Sequence, residues 1–318
     1  MTGVVLKQFF IKPSDKEARV TFYLHGELGN QMFQLATALA VSRQLKKSIE
    51  LSVLKGNAFR LSKYNNGGKS ITFNEISKLR TFLVYFLTKI RKLGVSDNFF
   101  FPKIYTESDL TFKQWDVSKS KFFFGYFQSW KYFDHLKDDL LNTFDLKPPD
   151  SRTVSLLRNL PNEFTAIHIR RGGRGPSILN SEFHGILSDS YYNNAIHLNS
   201  LLGGSSNYVV FTDNPRAAQK LLLHLNIMPL QVIGPEDVID QLENLWLMSR
   251  STSFIGANSS YSWWAAYLST TLRTPPIFPR QWYFDARISN SDMLLPDWLT
   301  VGFESFESSN EKVGFNEE

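Results

Sequence analysis

Short apolar runs of strand length alternate along this chain with segments of helical period, the pattern of a parallel sheet carrying helices on its faces. Thr21-Phe-Tyr-Leu24 predicts a strand, His25 to Asn30 a turn, and Gln31 to Lys46 a helix with Met32, Leu35, Leu39 and Ser42 spaced along one face. A second βα unit starts after Lys147-Pro-Pro-Asp150, where prolines end the preceding helix. Its strand is Phe164-Thr-Ala-Ile-His-Ile169 and its loop runs from Arg170 to Pro176. Tyr208-Val-Val-Phe211 follows as a strand leading into Thr212-Asp-Asn-Pro215, where Asp213 or Asn214 caps a helix starting near Pro215. Ser253-Phe-Ile-Gly256 is a strand before Ala257-Asn-Ser-Ser-Tyr-Ser-Trp-Trp264 and a helix through Leu268. Polar residues thus stand just past the carboxyl ends of strands, where open α/β sheets bind ligands. The Ser-, Glu- and Asn-rich tail from Phe303 to Glu318 reads as frayed, and no internal repeat is visible.

With 318 residues, 42% hydrophobic and 20% charged, the chain is globular and long enough for two domains, and the proline break at 147–150 divides them. The net charge of +5 suits an anionic partner, but nucleic acid, an anionic membrane and a phosphorylated small molecule all satisfy it. The absence of cysteine removes disulfides, zinc thiolates and thiol nucleophiles. No run approaches the roughly 20 apolar residues of a membrane-spanning helix, and Lys7, Lys12, Pro13, Asp15, Lys16 and Glu17 break any leader-like segment. Phe82 to Leu93 is too short to span and ends in a basic cluster. It is expected to be a buried helix with a solvated basic end; a helix lying at a membrane surface is the alternative.

Three segments carry candidate chemistry. In Ala166-Ile-His-Ile-Arg-Arg-Gly-Gly-Arg-Gly175, a β-rich run ends in two arginines and a glycine stretch. Arginine forks bind phosphate oxygens bidentately and can neutralise a diphosphate leaving group, whereas a strand end decorated with solvated arginines needs no ligand. His168, of opposite parity to Ile167 and Ile169, is expected to be a packed residue and not a base. His25-Gly-Glu-Leu-Gly-Asn-Gln-Met-Phe-Gln34 joins strand to helix through Gly26 and Gly29, equally a turn needing positive φ and an anion-binding loop. It lacks the Lys-Ser/Thr pair of a P-loop. Asn258-Ser-Ser-Tyr-Ser262 offers hydroxyls and backbone donors at a helix start, either a plain N-cap or a phosphate site. Trp263 and Trp264 are expected in the core. No Asp-x-Asp pair and no metal-ligand spacing occur, so the positive charge for a diphosphate would come from side chains; no Gly-x-Ser-x-Gly elbow is present.

Taken in order, the segments resemble the bacterial α-1,2-fucosyltransferases of glycosyltransferase family 11, which are related to protein O-fucosyltransferases and α-1,6-fucosyltransferases. The resemblance rests on Gly26 to Gln34, Gly125-Tyr-Phe-Gln-Ser-Trp-Lys-Tyr-Phe133, His168-Ile-Arg-Arg-Gly172, His184-Gly185 with Ser190-Tyr-Tyr192, Phe211-Thr-Asp-Asn-Pro215, Ala257 to Trp264 and Pro279-Arg-Gln-Trp282. It covers nearly the whole chain. It implies an α/β, GT-B-type fold of two facing Rossmann-like domains with a cleft between them. Residues 1–147 would form the acceptor-side domain and residues 148–302 the GDP-sugar-binding domain. The implied reaction is inverting transfer of L-fucose from GDP-β-L-fucose to the 2-hydroxyl of a galactoside, in O-antigen or surface polysaccharide synthesis, with no cofactor or metal. Carried over by position, the catalytic residues are Arg170, Arg171 and Asn30, with Arg170 the more important. Gly26, Gly29, Gln31, His168, Asp213, Asn258, Ser259, Ser260 and Ser262 would serve the donor.

The family usually writes His-x-Arg-Arg-Gly-Asp, and this chain has Gly173 at the aspartate; His25 also stands where glycine is common. A transition state dominated by leaving-group stabilisation tolerates the loss, and the enzyme is expected to be active. A transferase of the same fold using another GDP-6-deoxy- or dideoxyhexose is the main alternative, and a non-catalytic GDP-sugar-binding relative the other. The implied partners are a GDP-sugar and a galactose-containing glycan or lipid-linked oligosaccharide, with no nucleic acid. The implied location is cytoplasmic, with peripheral contact at the inner membrane face. Acceptor choice falls to loops such as 55–75 and 95–120, which carry no readable motif.

Overall fold

The computed structural model describes residues 19–61, 71–92, 104–107, 111–144, 151–171, 185–237, 240–284 and 292–302. The proline break at 147–150, Gly172 to His184 and the tail from 303 lie outside them. The chain divides into two compact units. Unit 1 is Met1–Asp145 with Ser291–Met293, and unit 2 is Leu146–Asn290 with Leu294–Glu318. Each is an α/β unit built on a parallel sheet.

In unit 1 the strands β1 (Arg19–Leu24), β2 (Ser48–Val53), β3 (Ile71–Glu75), β4 (Ile104–Thr106) and β5 (Phe122–Phe124) form a sheet of order β3-β2-β1-β5-β4. β1 runs parallel to β2 in register from Arg19↔Ser48 to Leu24↔Val53 and pairs β5 on its other side. The chain thus moves outward through β2 and β3, then crosses to the far side of β1, leaving a topological switch point between β1 and β5. Alternation along β1 sends Phe22 to one face, stacked on Phe123 at 4.6 Å, and Tyr23 to the other, with Leu54, Ile76, Val84, Ile104 and Phe122.

Helix α1 (Leu28–Leu45) starts a turn earlier than its pattern predicts and is buried on most of its surface, so its core-facing side is wider than one stripe. It ends at Lys46, whose left-handed backbone (φ 54°) returns its N–H to the Ser42 carbonyl. Helix α2 (Lys78–Lys92) corrects one expectation. It is not buried apart from its basic end: it packs Val84 and Leu87 inward but leaves Leu79, Phe82, Tyr85 and Phe86 between 40% and 63% exposed. Its two apolar faces need two burial partners, and the sheet supplies only one. The segment Ser291–Met293 clusters with unit 1 because buried Asp292 accepts the Phe112 N–H at 2.5 Å and pairs with Lys131. Helix α3 (Lys137–Thr143) completes the described elements of this unit.

Unit 2 opens with α4 (Ser151–Asn159) and continues β6 (Thr165–Ile169), α5 (Asp189–Leu201), β7 (Tyr208–Thr212), α6 (Pro215–His224), β8 (Gln231–Ile233), α7 (Gln241–Met248), β9 (Ser253–Ile255), α8 (Ser260–Tyr267), β10 (Ile277–Pro279) and β11 (Leu299–Val301). Its sheet order is β11-β10-β9-β6-β7-β8, so the switch point falls between β6 and β9. Ile167 and Ile169 enter a core with Leu187, Tyr191, Tyr192, Val210 and Ile255. Trp263 and Trp264 are fully buried in the core, packed edge to face at 5.0 Å. Among the described residues no helix is long and apolar enough to cross a membrane.

Candidate functional site

The polar segments of unit 2 converge at the carboxyl ends of the three adjacent strands β9, β6 and β7. Arg170, the first residue past β6, is exposed, and its Nη1 approaches Ser259 Oγ at 3.4 Å across the switch point. A contact this long is weak and leaves the guanidinium fork ready for a better acceptor. Arg171 is held differently. Its backbone N–H donates to Asp213 Oδ1 at 2.9 Å and its Nη1 to the Leu187 carbonyl at 2.9 Å. Its guanidinium also lies 3.8 Å from Asp189 Oδ1 and 5.9 Å from the Tyr192 ring centre. Only 15% of that side chain is exposed, so Arg171 braces the strand end while Arg170 projects from it.

Asn214, not Asp213, caps α6: its side chain accepts the Ala217 N–H at 3.1 Å, with Pro215 in the first turn. Asp213 is thereby released for Arg171. His168 sits on the strand face opposite Ile167 and Ile169, 5.9 Å ring to ring from Tyr261. Burial pushes its pKa down to about 4, against the pull of Asp213, and its buried Nδ1 has no hydrogen-bond partner among the described residues. It is a packed neutral imidazole. Tyr192 and Tyr191 of α5 tie the strand ends together, donating to the carbonyls of His168 at 3.2 Å and Gly256 at 2.5 Å.

At the start of α8 the hydroxyls divide between two jobs. Ser259 is the N-cap and accepts from the Tyr261 N–H at 3.4 Å as well as from Arg170. Ser262 is fully buried and spends its hydroxyl on the carbonyls of Ala257 and Ser259 while accepting the Ala257 N–H at 3.3 Å. Asn258 donates to the Trp282 carbonyl at 3.3 Å. Ser260 is half-buried in the first turn of α8, where the positive end of the helix dipole lies. Gly256, just past β9, has no room for a side chain: a Cβ would stand 2.1 Å from the Phe278 ring.

The glycine turn of unit 1 lies at that unit's own switch point. Gly26 has φ +79°, a backbone conformation that favours glycine, and a Cβ on it would lie 2.6 Å from Asn30 Nδ2 and displace that side chain. Gln31, fully buried, donates to the carbonyls of Gly26 at 3.0 Å and Ala58 at 2.7 Å and accepts the Arg60 N–H at 3.0 Å. It brackets the turn. Gly29 is buried in the first turn of α1. Asn30 is half-buried and accepts from Gln128 Nε2 at 2.6 Å. Gln34 donates to the Gly125 carbonyl at 3.0 Å and accepts the His25 N–H at 3.2 Å. His25, stacked on Phe124 at 4.7 Å, is driven by burial to a pKa of about 4.

The Glycosyl transferase family 11 profile matches residues 4–302. The chain belongs to glycosyl transferase family 11. It is 26% identical over 309 residues to the O-antigen biosynthesis glycosyltransferase WbnK of Escherichia coli, covering 87% of this chain and 99% of that one. It is also 26% identical over 291 residues to an alpha-1,2-colitosyltransferase of Escherichia coli, covering 87% and 97%. Among solved structures it is similar to a mutant of Arabidopsis thaliana FUT1 in complex with GDP, at 14% identity and TM-score 0.48, over 91% of this chain and 76% of that one. The fucosyltransferase NodZ from Bradyrhizobium matches at 13% identity and TM-score 0.46, over 79% and 92%.

Within this family 11 chain, the structure brings Arg170, Arg171, His168, Asp213, Asn258, Ser259, Ser260 and Ser262 together in unit 2, and Gly26, Gly29, Asn30 and Gln31 together in unit 1. Sequence reasoning assigned no role to Gln34, Gln128, Leu187, Asp189 or Tyr192. All but Leu187 and Asp189 lie inside the blocks quoted above, so a signal for them was present. For Leu187 the working group is a backbone carbonyl, which no side-chain pattern can announce.

Proposed function

We propose that the chain transfers a deoxyhexosyl group from a GDP-sugar to a sugar hydroxyl, with the donor diphosphate on Arg170 and the start of α8. One observation carries this: at the β6/β9 switch point an exposed guanidinium meets the N-cap of a helix, two anion-binding devices on one spot. The acceptor oxygen attacks C1 of the sugar from the face opposite the diphosphate, and the C1–O bond breaks with its electron pair leaving on GDP. The hydroxyl proton passes to the departing phosphate or to water. Arg170 stabilises the charge that develops on the leaving group, and Arg171 with Asp213 positions it. Ser259 and Ser260 hold phosphate oxygens, while Ser262, Gln31 and Asn258 shape the turns that present them. Asn30 contacts a ligand from the glycine turn. No metal is required, because guanidinium and helix end supply the positive charge.

The preferred donor is GDP-β-L-fucose and the preferred product an α-1,2-linked galactoside, in keeping with the family resemblance; a role in O-antigen synthesis accords with the relative named for it. One finding favours a second donor: a relative of equal identity is named for colitosyl transfer. Incubating the protein with GDP-fucose or GDP-colitose and a β-galactoside tests both. Release of GDP with linked product from one donor selects it; no product and no GDP from either would sink the transferase reading.

A further inference from the structure

We propose that α2 is a membrane-docking helix that lies in the plane of an anionic lipid surface. Leu79, Phe82, Tyr85 and Phe86 are 55%, 63%, 40% and 47% exposed and recur at spacings of three and four, which makes one continuous stripe. Phe82 and Phe86 stack at 6.2 Å on that stripe. It is not spare core surface, because the helix already has a complete buried side. Val84 packs with Tyr23, Leu54 and Ile104, Leu87 and Thr88 are buried, and Thr81 Oγ1 accepts the Lys55 N–H at 2.9 Å.

The charge pattern chooses the occupant. From Lys78 to Lys92 the sequence holds Lys78, Arg80, Lys89, Arg91 and Lys92 and no acidic residue. Lys78 and Lys89 are exposed and bracket the aromatic stripe on its own face. The carboxylate just before the helix, Glu75, is paired with Lys55 at 2.6 Å. A second copy of this chain would bring two cationic faces together at a cost, whereas lipid phosphates meet the lysines while the aromatic rings enter the headgroup–acyl boundary. An aliphatic and aromatic stripe tipped by a tyrosine hydroxyl and flanked by lysines is the composition that this boundary favours.

The inference does not rest on the transferase reading, since vesicle binding is measured without donor or acceptor. The full chain is floated with vesicles of phosphatidylcholine alone and with vesicles about one-third phosphatidylglycerol. Binding to the anionic vesicles should exceed binding to the neutral ones by about tenfold or more and fall as salt rises. Phe82→Ser with Phe86→Ser, and separately Lys78→Gln with Lys89→Gln, should each reduce binding by about tenfold, with circular dichroism unchanged. If one pair fails to fold, the other decides. No binding to anionic vesicles, or binding that both pairs leave intact, overturns the proposal. So does a dimer in sedimentation velocity that the phenylalanine pair dissolves, because the face would then belong to a second copy.

Discussion

Asp213 Oδ1 accepts the backbone N–H of Arg171 at 2.9 Å, joining the end of β7 to the end of β6. The contact fixes where the chain leaves β6, and therefore where Arg170 points. Asp213→Ala should lower kcat by about ten- to a hundredfold, while Asp213→Asn, which keeps an acceptor oxygen, should retain most of it. Steady-state release of GDP is the measurement. Equal losses in both variants would show that the charge matters and the backbone contact does not.

The two arginines should separate in their effects. Arg170→Ala removes leaving-group stabilisation worth about 3 kcal/mol or more, roughly a hundredfold in kcat, with little change in Tm. Arg171→Ala breaks the tie to the Leu187 carbonyl and should lower Tm as well as activity. Turnover near that of the wild type in Arg170→Ala would remove the centre of the proposed function.

Gly26→Ala places a Cβ at positive φ and against Asn30, and should cost about 1–2 kcal/mol or more. Chemical denaturation reads the loss. Asn30→Ala at the same turn leaves the backbone alone and should affect activity more than stability.

Glu107 holds a strained corner. Its Oε2 accepts the N–H groups of Tyr126 at 2.8 Å and Phe127 at 2.9 Å, and Phe127 is a fully buried residue at φ +53°. The aromatic packing of Phe127 against Phe22 and Tyr132 holds the ring while the carboxylate holds the backbone. Glu107→Ala should destabilise by about 2–4 kcal/mol and Glu107→Gln by less, as melting curves of the two variants would reveal.

His25 and His168 make stability depend on pH. Burial lowers both from 6.5 to about 4 in the folded chain, so between those values the unfolded chain binds more protons. Their contribution is fully present above pH 6.5 and declines as pH falls toward 4, by up to about 3 kcal/mol each. His25→Gln and His168→Gln should flatten the fall of Tm across that window. A Tm profile parallel to that of the wild type would show the ring not to be the source.

The parallel architecture was legible at β1, β6, β7 and β9, whereas β2 and β3, six and five residues long, were not read from the sequence. β4, β5, β8, β10 and β11 are three residues each, too short for a period to register, and their places come from pairing with neighbours; β9, equally short, was read from the polar segment that follows it. The candidate site was legible as residue types and not as assignments. The Asp213/Asn214 ambiguity at the start of α6 is decided by which side chain reaches the Ala217 N–H, a matter of backbone angle. For α2 the apolar period was clear, but which side met the sheet depends on where β4 and β5 lie, and so the buried reading was placed ahead of the surface one. Gly173 stands outside the described residues.

Gln31, Gln34 and Ser262 are buried and use their polar atoms on the chain's own backbone. These residues therefore encode wiring, and such wiring would be indifferent to which sugar hangs from a diphosphate. A lineage could exchange one deoxyhexose for another without altering a character of those blocks, and shared motifs would then date the scaffold and leave the cargo unrecorded.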